Sequence, residues 1–502
     1  DPLSPLGLDL WRTMLARLKP TMSTEGRNGL AWNLNGRNYV NISNMLMTTG
    51  GSAMVNQAFR PYDKSIDRAF DSIDIKDYTP AEVPDGAKGI FWKSMKQLVT
   101  MLPYAFHGLH KGDKSMTEYI DSSNAIIEKC YNDKCLKDES FGEAYEQLMT
   151  EYNAAIPAVG GITAGLISRA WLHNWIFAKC EEANDYLINM CMDLKGNPTS
   201  EMGHFMVRLA AYPEIQETDT GEAFVQKLEG GSFSKEFTDD YNTYLKKFGC
   251  RGIREIDAAT PRTHENPAGL FDTLKAIDVE KNQIINVRER RDKAYQELLK
   301  MAKDLNQEKQ FVHHAGIIQS LMGYREHPKY MLVVMIARMR RHALNIAKDF
   351  VAKGRLENVD QIFALTIDQV TNAQKNVNLK LLPLVEANMD PITKVAHIKN
   401  WPTLIDSRGK IIRGVRPKED GPNADEGILF GDPISPGTVT GRAKVLALSP
   451  YEKTVHSGEI LVARFTEPSW TPLFINAGGV VMEVGGPMQH GAIIAREYGI
   501  PC

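Results

Sequence analysis

The sequence predicts a mainly α-helical domain over residues 1–405, followed by a small α/β domain over residues 427–502. Before about residue 400, apolar residues recur with the 3.6-residue period of amphipathic helices. After residue 427, short apolar runs typical of buried strands alternate with a helical segment. A polar stretch punctuated by Gly and Pro, residues 406–426, separates the two patterns and predicts a flexible linker.

The helical period is clearest in four segments of the first part, which are residues 141–153, 287–310, 329–349 and 355–374. Residues 37–43 follow an Asn-Gly turn and predict one short strand. In the second part, strands are predicted within residues 439–445, 459–463 and 478–484. A helix over residues 490–498, closed by Gly499, completes the predicted α/β domain.

The amino-acid composition is typical of a globular protein. With 43% apolar and 24% charged residues, the chain of 502 residues can bury a sizeable core. The formal net charge of −3 gives no basic excess that would indicate nucleic acid or an anionic membrane surface as partner. No apolar run approaches the roughly 20 residues of a membrane span, and the first residues do not resemble a signal peptide.

The cysteines and the two chain ends carry further expectations. Six cysteines without a CxxC pair predict neither a disulfide framework nor a zinc site, so we expect a reduced, cytoplasmic protein without a metal site in this chain. The chain starts at Asp1 and stops at Cys502, in what reads as the approach to another strand. We therefore expect it to be a fragment of a longer protein.

A glycine-rich junction between strand and helix places a histidine at the start of the last helix. Gly485, Gly486, Gln489 and Gly491 surround His490. The free N–H groups and positive dipole end of a helix N-terminus favour an anion, and neutral imidazole is a competent nucleophile toward phosphorus. The residues alone therefore allow a phosphohistidine site, or simply a polar histidine at a helix entry beside turn glycines.

Three motifs in this region resemble the phosphohistidine swivelling domain of phosphoenolpyruvate-utilising enzymes. They are residues 431–445, 459–472 and 485–501, in that order. The resemblance implies that His490 carries a phosphoryl group. Two positions depart from the family pattern, since Gln489 stands where Thr, Ser or Cys is frequent, and Glu467 stands where Asp is common.

The preceding part resembles, in patches, the substrate domain of the rifampicin phosphotransferase family. The matching stretches are residues 36–41, 248–257, 261–262, 325–329 and 354–366. In the family, residues that match Arg325, Glu326 and Lys329 line the active centre. The resemblance indicates the family and does not identify the substrate.

The segment Arg325-Glu326-His327-Pro328-Lys329 also has a physical interpretation. Pro328 suits the first turn of a helix, and a residue before proline is disfavoured in helical geometry, so we expect a break at His327. Arg325 and Lys329 beside a helix N-terminus would form a phosphate clamp. Glu326 is the candidate general base, with His327 as a rival. The alternative is a solvated charge cluster at a helix junction.

A second polar site is predicted at Arg251, Arg254 and Glu255, close to Asp257. The alternative, equally weighted, is a buried ion network that closes a helix pair.

The predicted function is phosphotransfer of the dikinase type. The resemblance implies ATP and Mg²⁺ as cofactors, bound by an ATP-grasp domain. No GxxxxGK[ST] loop or other nucleotide-binding module is recognised in this sequence, so we expect that domain elsewhere, in cis or in trans. The phosphoryl group would pass from ATP to His490 and then to a small organic acceptor, or would activate a substrate for condensation or dehydration. The alternatives are a non-catalytic phosphocarrier and a degenerate homologue that only binds ligand.

Overall fold

In a computed structural model of the chain, the described residues are 2–18, 31–46, 64–79, 90–112, 116–131, 139–280, 286–398, 401–414, 429, 431–446, 455–466, 470–484 and 489–502. Most of them are helical, and the three strands near the C-terminus form a small parallel sheet. The predicted fold class, a helical domain followed by a small α/β domain, is confirmed.

The α-helices before residue 250 are Pro5–Leu18, Ile42–Leu46, Lys64–Asp71, Ile90–Lys111, Thr117–Tyr131, Phe141–Ala155, Gly160–Trp171, Ala183–Asn189, Pro198–Ala210, Pro213–Gln216, Gly221–Glu229 and Lys235–Phe248. Those after residue 250 are Pro267–Lys275, Val287–Asp304, Glu308–Leu321, His327–Ala352, Ile367–Lys375, Leu382–Lys394, Thr471–Asn476 and His490–Tyr498. Short 3₁₀ turns include Met322–Glu326 and Val359–Ala364, and a π-turn covers Leu172–Ile176.

The helix His327–Ala352 lies at the centre of the helical domain. Every residue from Tyr330 to Arg340 is buried, and the helix packs against Thr117–Tyr131 and Phe141–Ala155. A helix that is apolar on all sides over its first half must be surrounded by other elements. The mostly apolar segment from Tyr330 to Arg340 therefore forms a core helix.

Two predicted helices are each divided by a turn. The segment 287–310 is two helices, because the first ends at Asp304 and Asn306 adopts a left-handed backbone (φ +57°). The segment 355–374 is a 3₁₀ turn followed by a helix that starts after Thr366. At that start, the Thr366 side chain accepts from the Gln369 N–H and the Gln369 side chain accepts from the Thr366 N–H. This reciprocal capping box ends one element and starts the next.

The predicted strand over residues 37–43 is part of a β-hairpin. Arg37–Val40 pairs antiparallel with Ala31–Leu34, and Asn35 and Gly36 form the turn with positive φ angles of 49° and 80°. Two left-handed residues match the twist of a two-residue hairpin turn. The strand is shorter than predicted, because a helix begins at Ile42.

The first residues of the predicted linker are structured. Asp406 accepts hydrogen bonds from the backbone N–H groups of Arg408 and Lys410, which close a tight turn. Asp side chains commonly stabilise turns in this way. Residues 415–428 lie outside the described residues, so flexibility there stays a prediction.

The C-terminal sheet has the strands Ala443–Leu446, Ile460–Ala463 and Gly479–Met482, paired in parallel in this order. The two ends of the C-terminal domain are hydrogen-bonded to each other, since the N–H groups of Ile434 and Ser435 donate to the Cys502 carbonyl. Gly499 ends the last helix in the left-handed conformation, φ +62°, as predicted from its position.

One helical stretch in the described residues, Phe141–Ile176, is long and apolar enough to cross a membrane. Half of its most apolar window is buried inside the fold. Core helices of globular proteins meet the same criterion, so length and composition do not by themselves identify a membrane span here.

Replacement of Arg340 by alanine tests the polar clamp that holds the segment 258–265 to the central helix. Arg340 is 4% exposed and binds the Glu265 carboxylate with two nitrogens, at 2.8 Å each, as well as two backbone carbonyls. Since breaking a buried pair leaves its partner uncompensated, we expect Arg340→Ala to lower the free energy of unfolding by about 3 kcal/mol. Urea unfolding measures this change.

The matched control is Lys353→Ala on the same helical run. Lys353 pairs with Asp349, and both side chains are more than half exposed. Such pairs contribute little, so the control should lie within about 0.5 kcal/mol of the unmodified protein. Equal effects of the two substitutions would contradict the importance of the Arg340 clamp.

Candidate functional site

His490 is the first residue of the helix His490–Tyr498, as predicted. Gln489 precedes it in an extended conformation (φ −72°, ψ 153°), and the Gln489 side chain makes no capping hydrogen bond. The first amides of an α-helix have no intrahelical partner, so the backbone there offers N–H groups to an anion. Gly485 and Gly486 lie outside the described residues, and their role in phosphate binding stays a prediction.

Glycine is required at position 491, because neighbouring side chains leave no room for a Cβ atom. A Cβ at this position would overlap Thr466 Oγ1 and lie 2.6 Å from Met482 Sδ. The beginning of the helix is therefore pressed against residues that end or follow two strands of the sheet. The space beside Gly491 is filled by the fold.

Arg325 lies at the interface between the helical domain and the C-terminal domain. Its guanidinium donates a hydrogen bond to Glu497 Oε1 and forms an ion pair with that carboxylate. The other carboxylate oxygen accepts from the Asp193 N–H at 3.1 Å and from the Ser200 hydroxyl at 3.3 Å. Glu497 is 2% exposed. Burial raises the pKa of Glu497 above its usual range, although the charge of Arg325 opposes this shift.

The backbone around this carboxylate is held in an uncommon conformation. Asp193 has a positive φ of 44°, and Gly196 has one of 84°. A side chain at Gly196 would meet the ring of Tyr324, and one at Gly323 would overlap the Lys195 carbonyl. Because these glycines allow close approach, the loop lies directly against the 3₁₀ turn that carries Arg325.

Further hydrogen bonds fix the end of the helix His490–Tyr498 to the helical domain. The Tyr498 hydroxyl donates to the Thr199 carbonyl at 3.0 Å. Arg290 donates to the carbonyls of Tyr498 and Gly499. Together with the Arg325–Glu497 pair, these contacts dock the C-terminal domain through the C-terminal end of this helix.

The docked arrangement places Glu497, and not His490, against Arg325. Glu497 is seven positions after His490, which at 1.5 Å per residue is about 10 Å along the helix axis. The predicted carrier and the residue that binds Arg325 are therefore near opposite ends of one helix.

The predicted break at His327 is wrong. Glu326 and His327 both have right-handed helical backbones, with φ −86° and −65°, and the 3₁₀ turn continues into the helix His327–Ala352. The His327 N–H donates to the Tyr324 carbonyl, so the helix has no open N-terminus at this residue. The rings of Tyr119, Tyr324 and Tyr330 surround the imidazole at centroid distances of 5.5–6.0 Å, which overrides the local preference before proline.

Glu326 and Lys329 flank His327 and are both half-buried. Within the described part of the chain, neither side chain has a hydrogen bond or ion pair. A carboxylate and an ammonium group three residues apart, without engaged partners, can act on a bound ligand. Of the predicted clamp, Arg325 is thus occupied by Glu497, whereas Lys329 is not engaged. The candidate general base, Glu326, is not engaged either.

The predicted second polar site does not converge on one point. Arg251 and Glu255 form a buried ion pair at 2.7 Å, as in the structural alternative. Arg254 adopts a left-handed backbone, and its side chain reaches the Pro2 carbonyl at 3.2 Å. Arg262 donates to the carbonyls of Glu255 and Asp257, which extends the pair into a network.

A cavity of about 200 Å³ lies between the two domains, next to this network. Met202, Met206 and Arg251 line it from the helical domain, and Pro472 and Leu473 line it from the C-terminal domain. The helical domain supplies most of its walls, and the docked C-terminal domain completes them.

Comparisons with known proteins confirm the predicted resemblance. Residues 157–326 match the family model of the rifampicin phosphotransferase fourth domain, and residues 455–502 match that of the mobile domain of PEP-utilising enzymes. The first match contains Arg325 and Glu326, and the second contains His490 and Glu497. The pair that joins the two domains therefore has one residue in each matched region.

Curated relatives agree with these matches. A rifampicin phosphotransferase of Streptomyces sviceus is 27% identical over 100% of this chain and 57% of its own length. One of Bacillus subtilis is 32% identical over 61% of this chain and 36% of its own length. A phosphoenolpyruvate synthase of Aeropyrum pernix is 33% identical over 23% of this chain and 14% of its own length. The chain is thus a homologue of phosphotransferases and spans 57% of the Streptomyces relative.

The site residues predicted from the sequence do not include Glu497, Ser200 or Asp193. One signal was present for Glu497, because it occupies the helix face shared by Ile493, Ile494 and Tyr498. A carboxylate on an apolar face predicts a buried partner. That the partner is Arg325 could not be read from the sequence.

His327 generates a prediction about pH. Burial lowers its pKa to about 4, whereas the unfolded chain titrates near 6.5. Because the unfolded state then binds more protons, stability should be complete above about pH 6.5 and fall as the pH is lowered toward 4. His327→Phe should remove about 2 kcal/mol of the stability difference between pH 7 and pH 5, measured by urea unfolding. The exposed His456 serves as control, since His456→Phe should leave that difference unchanged.

Proposed function

We propose that this chain carries a phosphoryl group on His490 and delivers it to a small organic acceptor at the turn that contains Arg325, Glu326 and Lys329. The group would come from ATP through an ATP-grasp domain, in cis or in trans. The observation that carries the proposal is the position of His490 at the start of a helix, inside the segment that matches the mobile domain.

The proposed transfer to the acceptor is supported by the side chains of Glu326 and Lys329, which have no hydrogen-bond or ion-pair partner among the described residues. The ammonium group of Lys329 offsets negative charge on the transferred phosphoryl group. The Glu326 carboxylate takes the proton of the acceptor hydroxyl. The bond between phosphorus and the His490 nitrogen breaks as the new bond between phosphorus and the acceptor oxygen forms, so the histidine returns to its free form.

The reaction requires more than one domain position. In the docked arrangement the C-terminal end of the last helix contacts Arg325, while His490 lies about 10 Å along the helix from Glu497. Discharge beside Lys329 therefore requires the C-terminal domain to turn or to shift. The docked position is held by hydrogen bonds, by one ion pair and by apolar side chains of both domains in one buried cluster, so a domain motion must release all three kinds of contact.

ATP and Mg²⁺ would be bound by the ATP-grasp domain. Among the described residues, no group of three or more His, Cys, Asp or Glu side chains could hold a metal ion.

Labelling tests the carrier. The chain, supplied with its ATP-grasp domain and with ATP labelled at the β- or γ-phosphate, should take up acid-labile, base-stable label. His490→Ala should abolish this uptake, because it removes the nucleophile. His456→Ala is the matched control in the same domain and should label normally, since His456 is exposed and lies outside the glycine-rich junction. Normal labelling of His490→Ala would overturn the proposal.

Discharge of the phosphohistidine distinguishes an enzyme from a carrier. A charge-assisted contact to phosphate is worth about 1.5–3 kcal/mol, so Lys329→Ala should slow transfer to the acceptor by about ten-fold to more than a hundred-fold. Formation of phospho-His490 should stay nearly intact, and the phosphoenzyme should accumulate. Quench-flow measurement of bound label reports both steps.

Lys348→Ala is the control for this experiment. Lys348 is exposed on the same helix, about five turns beyond Lys329. If Lys329→Ala discharged as fast as Lys348→Ala, the charge cluster would be a solvated helix junction, and the phosphocarrier alternative would be favoured.

A further inference from the structure

We propose that the cradle around the Glu497 carboxylate is an oxyanion site of the helical domain, which binds a phosphate group when the C-terminal domain undocks. The cradle consists of the Arg325 guanidinium, the Ser200 hydroxyl and the Asp193 N–H. Glu497 and phosphate therefore exclude each other. The inference rests on the proposed function for its role in turnover, and on geometry for binding itself.

The bound carboxylate shows what the cradle accepts. All three cradle groups donate hydrogen bonds, and both oxygens of Glu497 are engaged. The carboxylate of Asp193 does not compete for these donors, because it faces His204 and Arg288 at 2.9 Å and 2.8 Å. A phosphate group presents the same kind of oxygen acceptors, with one charge more as a dianion.

The helix Pro198–Ala210 adds to the cradle. Ser200 lies in its first turn, after the capping residue Asn197, so the positive end of the helix dipole faces the bound carboxylate. A helix end alone would not identify a site. Here the helix end coincides with a partly buried guanidinium, a buried hydroxyl and the Glu497 carboxylate that these groups bind.

Charges of both signs surround the cradle. Arg169 and Arg325 both act electrostatically on Arg496, whereas the Glu326 carboxylate repels an anion in the place of the Glu497 carboxylate. The Arg496 Nε donates to the Ile434 carbonyl, so this guanidinium stays with the C-terminal domain. When that domain leaves, Arg169 and Arg325 remain. The Arg325 Nε is buried without a hydrogen-bond partner in the described structure.

Competition between Glu497 and phosphate for the cradle couples phosphate binding to domain docking. Each docking event replaces a phosphate by Glu497, and each bound phosphate favours the undocked state. The apparent association constant for phosphate is then the intrinsic constant multiplied by the fraction of molecules that are undocked. A phosphorylated product, or free phosphate, left in the cradle would delay the return of the C-terminal domain.

Titration with inorganic phosphate tests the site without any turnover. Isothermal calorimetry of the full 502-residue chain, at constant ionic strength set with chloride, measures the affinity. Glu497→Gln keeps the side-chain shape and removes the competing charge, so phosphate should bind at least about ten-fold more tightly than to the unmodified chain. Glu483→Gln, an exposed carboxylate of the same domain, is the matched control and should change nothing.

Variants of the cradle complete the experiment. In the Glu497→Gln background, Ser200→Ala should weaken phosphate binding several-fold and Arg325→Gln should abolish it, whereas Arg325→Lys should retain part of it. Hydrogen exchange of residues 490–502 in the unmodified chain should rise on addition of phosphate, because phosphate displaces the docked helix. Equal phosphate affinity in Glu497→Gln, Glu483→Gln and Arg325→Gln would overturn the proposal.

A second arm separates the sources of phosphate. Phenyl phosphate that binds with the same dependence on Arg325 would assign the cradle to phosphate monoesters, and binding of inorganic phosphate alone would assign it to free phosphate. Both results support an oxyanion site. Normal labelling of His490 without phosphate binding would contradict this inference alone, and phosphate binding without labelling would contradict the proposed function alone.

Discussion

The ion pair between Arg325 and Glu497 is the contact on which the relation of the two domains depends. Removing one member of a buried pair typically costs about 3–5 kcal/mol, because the remaining charge is left without compensation. The Glu497 carboxylate is buried only while the C-terminal domain is docked, so undocking returns both charges to water. The pair therefore specifies where the domain binds, and it need not hold the domain permanently.

Local backbone geometry is arranged around this pair. The left-handed Asp193 aims its N–H at the Glu497 carboxylate, and Gly196 and Gly323 bring the loop and the 3₁₀ turn into contact. Uncommon backbone conformations persist where the surrounding structure determines them, and such sites are often functional. The same loop holds Arg288 and Arg291 through Asp193. A polar network thus supports the docking position from the side of the helical domain.

Parts of the fold could be predicted because they depend on local pattern. The helices at residues 141–155 and 327–352 have long apolar periods, and Gly499 ends the last helix at the residue where the sequence indicated an end. Where the prediction was wrong, a non-local contact or a cap changed the local preference. Three tyrosine rings hold His327 in the helix, and the turn at Asn306 divides one charged segment into two helices.

The family resemblance, the order of the two parts and the position of His490 at a helix start could be read from the sequence alone. These follow from the period of apolar residues and from motifs that lie within short stretches of chain. Contacts between distant parts of the chain place Glu497 beside Arg325, and Ser200 and Asp193 complete the site. Burial of a charge depends on partners far apart in the chain, and no local pattern encodes which of them meet.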